Sequence, residues 1–122
     1  MNVRAARGAI VVPADDPESM RTATSKLLDA LLARNAIAHD DLISILFTAT
    51  DDLSSAFPAE AARRMGMGDI PLLCAREIPV VGSMPSVVRI LMHFHTELGL
   101  RGVTHVYLDG AERLRDDIDG TS

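Results

Sequence analysis

Apolar and polar residues alternate from Val3 to Val12, with Val3, Ala5, Arg7, Ala9 and Val11 on one face and Arg4, Ala6, Gly8, Ile10 and Val12 on the other. That is the period of a strand, and Pro13 ends it. In "DDPES", Asp16 stands where a helix N-cap belongs and Pro17 at the first helical position. Met20, Ala23, Leu27, Leu28, Leu31 and Leu32 then make an apolar stripe at helical spacing to about Arg34. The largely apolar run Leu42 to Thr50 predicts a central strand. "DDLSSAF" reads as a turn, and Pro58 opens a short helix through "AEAARRM" that Gly66 stops. "IPLLCAREIPVV" predicts one or two strands, bent near Ile78-Pro79 because proline cannot join a central ladder.

Between about Pro85 and Leu98, Ser86, Arg89, His93 and Thr96 or Glu97 recur three and four residues apart. This spacing predicts a second long helix with a polar stripe, capped by Ser83 or Met84 and ended by Gly99. "VTHVYL", Val103 to Leu108, is the last strand expected, and the polar chain from Asp109 is expected to form a mobile tail. The order β-α-β-(short α)-β-(β)-α-β implies an α+β fold, a mixed sheet with two main helices on one face. So small a sheet leaves its other face and its edges to be covered, and packing between subunits would cover them.

A chain of 122 residues, 48% hydrophobic, suits one domain with its own core, spanning 1–122. Aromatics at 3%, no Trp and a formal charge of -5 argue against a nucleic-acid partner. One cysteine, Cys74, forms no internal disulfide, no leader pattern opens the chain, and no apolar run is long enough for a membrane span. A cytoplasmic protein with no membrane partner is the expectation. Eleven arginines stand against one lysine. A GC-rich genome produces such a bias, so only particular arginines argue for recognition of carboxylates.

"CAREIPVV" puts a thiol, a guanidinium and a carboxylate within four positions of an apolar strand. Strand alternation sends Arg76 and Glu77 to opposite faces, so each needs its own partner. Arg7 sits among small residues, which leave room for a ligand or let it snorkel to water. Arg89, on a polar stripe, is by default a solvated residue, and Tyr107, the one tyrosine, by default a core or interface residue. On a helix, His93 and His95 would point about 200° apart and could not chelate together, so no metal is assigned. No histidine lies near Cys74 in sequence, and no catalytic triad can be assembled around it. The residues alone thus reach a small α+β domain with arginines, one carboxylate and one tyrosine available to an anionic ligand.

The stretches "RGAIVV", "TATDDLSSAFPAEAAR", "PLLCAREIPVVGSMPSVVRIL" and "HVYL" occur in order and cover nearly the whole chain. Together they resemble the AroH class of chorismate mutases, trimers with a pseudo-α/β-barrel fold. The resemblance implies chorismate as substrate, prephenate as product, no cofactor, and a homotrimer with pockets shared between subunits. It implies that Arg89 faces the ether oxygen, Arg7 and Tyr107 hold a carboxylate, and Glu77 accepts from the ring hydroxyl. It assigns Cys74, Phe57, Ala59, Leu72 and Leu73 to the facing wall, Arg63 to the entrance, and Leu114 and Arg115 to a tail approaching the ligand. Arg7, Glu77, Arg89 and Tyr107 would come from one chain, and the Phe57–Arg63 and Leu72–Cys74 segments from its neighbour. Glu60 and Leu73 depart from the pattern, where a lysine and a threonine are expected, as does the absence of a proline after Arg115. A Rid-type enamine/imine deaminase and a non-enzymatic metabolite-binding trimer are the competing readings.

Overall fold

The computed structural model describes residues 1–114. Strand β1 (Asn2–Val11) leads into helix α1 (Pro17–Arg34), whose N-cap Asp16 accepts from the Ser19 amide at 2.8 Å. The stripe read from the sequence is the buried face of α1: Met20, Leu27, Leu28 and Leu31 are sealed from solvent. Strand β2 (Leu42–Ala49), the short helix α2 (Ala59–Ala62) with a wider turn over Arg63–Met67, and strand β3 (Leu72–Arg76) follow. Gly66, at φ 88°, takes the left-handed conformation that breaks this turn.

The next element corrects the sequence reading. Residues 87–96 form a strand, β4 (Val87–Thr96), not a helix. Val88, Ile90, Met92 and Phe94 point into the core, while Arg89, Leu91, His93 and His95 alternate on the other side. The fold is therefore mixed α+β as expected, but with one long helix, because the second became the centre of the sheet. On a strand, His93 and His95 share a face, so the helical argument against joint chelation does not apply. His93 Nδ1 instead meets the Ser44 hydroxyl at 3.2 Å. Strand β5 (Val106–Leu108) is shorter than expected.

The sheet order is β3-β2-β4-β1-β5. Strand β4 runs antiparallel to both β1 and β2, while β3 joins β2 and β5 joins β1 in parallel. Helices α1 and α2 cover one face, and Phe47, Ile90, Met92, Phe94 and Ile10 form the core between. Gly8 lies where the helix comes closest, since a Cβ there would sit 2.8 Å from the Val106 carbonyl oxygen and 2.9 Å from Leu27 Cδ1. The opposite face is largely open, and Val3, Leu73 and Leu91 are exposed on it. Residues 109–114 are packed rather than loose: Ala111 is buried with Ala9 and Val87, against Val11, Met84, Tyr107 and Leu114. Among the described residues, no helix is long and apolar enough to cross a membrane.

Candidate functional site

Strand register builds the site on the open face. Thr48 of β2 lies opposite Arg89 of β4, Arg89 opposite Ala9 of β1, and Ala9 opposite Tyr107 of β5. Neighbouring strands lie about 4.8 Å apart, so Arg89 and Tyr107 stand on strands about 10 Å apart, and Ala9 between them is buried with Ala111. Arg7 stands on the same face two residues along β1, about 7 Å away. Its guanidinium makes no hydrogen bond or ion pair with a described residue, although its amide donates to His105 Nδ1 at 3.1 Å.

Glu77 reaches this face from just beyond β3, where its amide continues the ladder by donating to the Ala49 carbonyl at 3.0 Å. Its carboxylate is mostly shielded, at 15% side-chain exposure. Oε2 accepts two hydrogen bonds, from the Thr48 hydroxyl at 2.7 Å and from Arg89 Nε at 3.0 Å. No bond from a described residue reaches Oε1, and the Arg89 contact uses Nε alone. The pair therefore presents one carboxylate oxygen and the two terminal nitrogens of a held guanidinium. Asp52 fixes the start of β4 by accepting from the amide and hydroxyl of Ser86, at 3.0 and 2.9 Å. The Thr50 hydroxyl holds the Asp52 carboxyl below the usual carboxylate range, against an opposing cost of burial and with lesser help from Ser86.

A second half lies elsewhere on the same chain. A cavity of about 630 Å³ opens beside edge strand β3, lined by Phe57, Pro58, Glu60, Cys74 and Arg76 among others. Asp15 ties down its rim by accepting from the amides of Ser54 and Ser55, both at 3.0 Å. The Arg76 guanidinium donates to the Asp51 carbonyl at 3.0 Å. Glu60, also on the cavity wall, is paired with Arg64 Nε at 3.0 Å and Arg21 at 3.8 Å.

The structure thus brings Glu77 into contact with Arg89, and Tyr107 into one cluster with Leu114, with Arg7 on the same face. Phe57 and Cys74 are together in the cavity, on the helix side of the sheet. Ala59, expected on the ligand wall, is instead a core residue at 3% exposure. Leu72 packs against the core, Leu73 faces the open side, and Arg63 is exposed at the end of α2. Arg115 lies outside the described residues. The sequence reading missed Thr48. Only its place opposite Arg89 in a ladder reveals it, and that ladder requires residues 87–96 to be a strand.

A family model described as chorismate mutase type I matches residues 3–118. The chorismate mutase AroH of Thermus thermophilus is 50% identical over 118 residues, which are 96% of this chain and 97% of that protein. The chorismate mutase AroH of Bacillus subtilis (strain 168) is 33% identical over 122 residues, 99% and 96% of the two chains. The solved structure of a chorismate mutase from Clostridium thermocellum Cth-682 superposes with a TM-score of 0.88 at 42% identity, covering 89% of this chain and 97% of that one.

Proposed function

Taking as premise that this chain belongs to the AroH, or type I, family of chorismate mutases and converts chorismate to prephenate, we propose that the Arg89–Glu77 pair is its catalytic centre, completed by the cavity wall of a second subunit. The deaminase and metabolite-sensor alternatives give way to the family assignment. The observation that carries the proposal is the pairing of Arg89 and Glu77 through one oxygen of the carboxylate.

The rearrangement is unimolecular and pericyclic: the C–O ether bond breaks as a C–C bond forms, with no proton transferred. Its barrier falls when the dianion is held in its compact reactive conformer. It falls further when negative charge growing on the ether oxygen meets a preorganised donor. The terminal nitrogens of Arg89 supply that donor, and Glu77 keeps the guanidinium plane fixed before substrate arrives. Glu77 Oε1 accepts from the ring hydroxyl. Arg7 and Tyr107 grip a carboxylate, and Leu114 and Arg115 contribute further ligand contacts. Phe57, Leu72, Leu73 and Cys74, with Arg63 at the mouth, belong to the facing subunit and exclude water.

This arrangement needs more than one chain, because Phe57 and Cys74 open on the helix side of the sheet and Arg89 and Glu77 lie on the other. We assign a cyclic homotrimer, in which each open face with its exposed Val3 and Leu91 meets the cavity side of the next copy. A lone unbridged thiol fits a reducing cytoplasm.

The test first establishes turnover of chorismate by the wild-type protein. It then mixes two inactive variants, Arg89→Ala and Phe57→Asp, by joint refolding or co-expression. Random assembly leaves about a quarter of the interfaces joining two intact halves, so activity returns up to about that fraction of wild type. Mixed trimers confirmed by mass that stay inactive would place the whole pocket within one chain.

A further inference from the structure

We propose that Thr48 is a positioning residue for this reaction, whose hydroxyl locks the Glu77 carboxylate so that Oε1 faces the ligand and Oε2 holds Arg89. The inference rests on the reading of Glu77 and Arg89 given above and adds a residue to it. Its basis is one of the shortest side-chain hydrogen bonds of the described chain, 2.7 Å from the Thr48 hydroxyl to Glu77 Oε2. Thr48 lies directly opposite Arg89 in the β2–β4 ladder and opposite Ala75 in the β2–β3 ladder. It therefore stands between the strand that carries Arg89 and the strand that leads to Glu77.

Without a second donor, a carboxylate held by one Nε–H can turn about its terminal torsion, which is broad and two-fold for Glu. Either oxygen would then meet Arg89, and the guanidinium plane would follow. Two donors converging on Oε2 remove that freedom. The residue type fits the task, because threonine combines a hydroxyl donor with the β-branched shape a central strand favours.

Valine has the same shape and no hydroxyl, so Thr48→Val removes the hydrogen bond and little else. A hydrogen bond to a charged group is worth enough to lower kcat roughly tenfold, with KM changed by no more than about threefold. Thr48→Ser, which keeps the hydroxyl, is expected within about threefold of wild-type kcat. Added to Glu77→Ala, Thr48→Val is expected to lower the rate no further, since the group it positions is gone. Thr48→Ala provides the same test should the valine variant fold poorly, with the melting temperature recorded for each.

A Thr48→Val enzyme with wild-type kcat, beside an impaired Glu77→Ala, overturns the role of Thr48 and leaves the reading of Glu77 standing. An equal loss from Thr48→Val in both backgrounds also overturns it, since the effect then does not pass through Glu77. If Glu77→Ala turns over chorismate normally, the reading of Glu77 fails and the role of Thr48 fails with it.

Discussion

Arg89→Ala is expected to separate catalysis from folding. The Arg89–Glu77 pair has side chains 38% and 15% exposed. Solvent screening at that exposure limits its share of folding stability to under about 1 kcal/mol. Nor does Glu77 become an orphaned charge, because it keeps the Thr48 hydroxyl at 2.7 Å. The melting temperature should therefore move by only a few degrees. The rate should collapse instead, because loss of one preorganised donor to a developing oxyanion costs about 3–4 kcal/mol, or roughly 10²–10³ in kcat. Arg89→Lys should rescue little of this, since a single ammonium cannot bond Glu77 and present a planar fork to the ligand at once. The assay is the loss of chorismate's ultraviolet absorbance at saturating substrate, with thermal melts and the mass of the assembly measured alongside. A folded, trimeric Arg89→Ala protein with kcat within about threefold of wild type would refute the electrostatic argument.

Cys74→Ser should retain most activity and no substrate adduct should form on Cys74, since the thiol is a wall group; intact mass after turnover checks the second point. Glu60→Gln should leave Arg21 and Arg64 unneutralised beside the cavity and raise kcat/KM for the dianion at low ionic strength, an advantage that added salt should erase. Gly8→Ala should destabilise the fold by about 1–3 kcal/mol in urea unfolding, because its methyl would press on the Val106 backbone, which cannot rotate away. The hydrogen bond from Asp69, and then its charge, raise the His39 pKa above the ordinary value. The His39–Asp69 pair should therefore contribute fully below about pH 6.5 and lose its contribution as pH rises through the raised value. The melting-temperature gap between wild type and Asp69→Asn should close between about pH 6 and 9, and a constant gap would contradict the pairing.

The sequence was most readable where one local pattern had no rival. Helix α1 begins at Pro17 and ends at Arg34 as its cap and stripe indicate, β1 falls where alternation puts it, and β2 falls on the apolar run from Leu42. Residues 87–96 carried two patterns at once. Val88, Ile90, Met92 and Phe94 alternate as a strand, but Val87 and Leu91 on the other face blur that period. Ser86, Arg89, His93 and Thr96 meanwhile suit a helix. Tertiary pairing decided it, because this segment is the one that both β1 and β2 need as a neighbour. The site suffered from the same cause. Arg89 and Glu77 are twelve residues apart in sequence, and Thr48 is twenty-nine from Glu77, so only the ladders bring the three together. Family resemblance singled out Arg89 as a candidate, whereas neither resemblance nor local pattern singled out Thr48. The motif that carries Ala59 is silent on which side of α2 faces the core, where Ala59 lies.

The order of the sheet also bears on how the chain is made. Strand β1 precedes the other strands in the chain, yet among the described residues its neighbours in the sheet are β4 and β5, with Asn2 opposite Thr96 and Ile10 opposite Leu108. Until residues 87–108 emerge from the ribosome, β1 can pack against the apolar side of α1 but has neither of its sheet neighbours. Closing the sheet requires contacts of high sequence separation, which form slowly, and an unpaired apolar strand is prone to wrong partners meanwhile. The edges of β1 thus stay unpaired until residues 87–108 emerge. A message truncated before that point yields a product with an unpaired first strand, suited to degradation rather than to partial function.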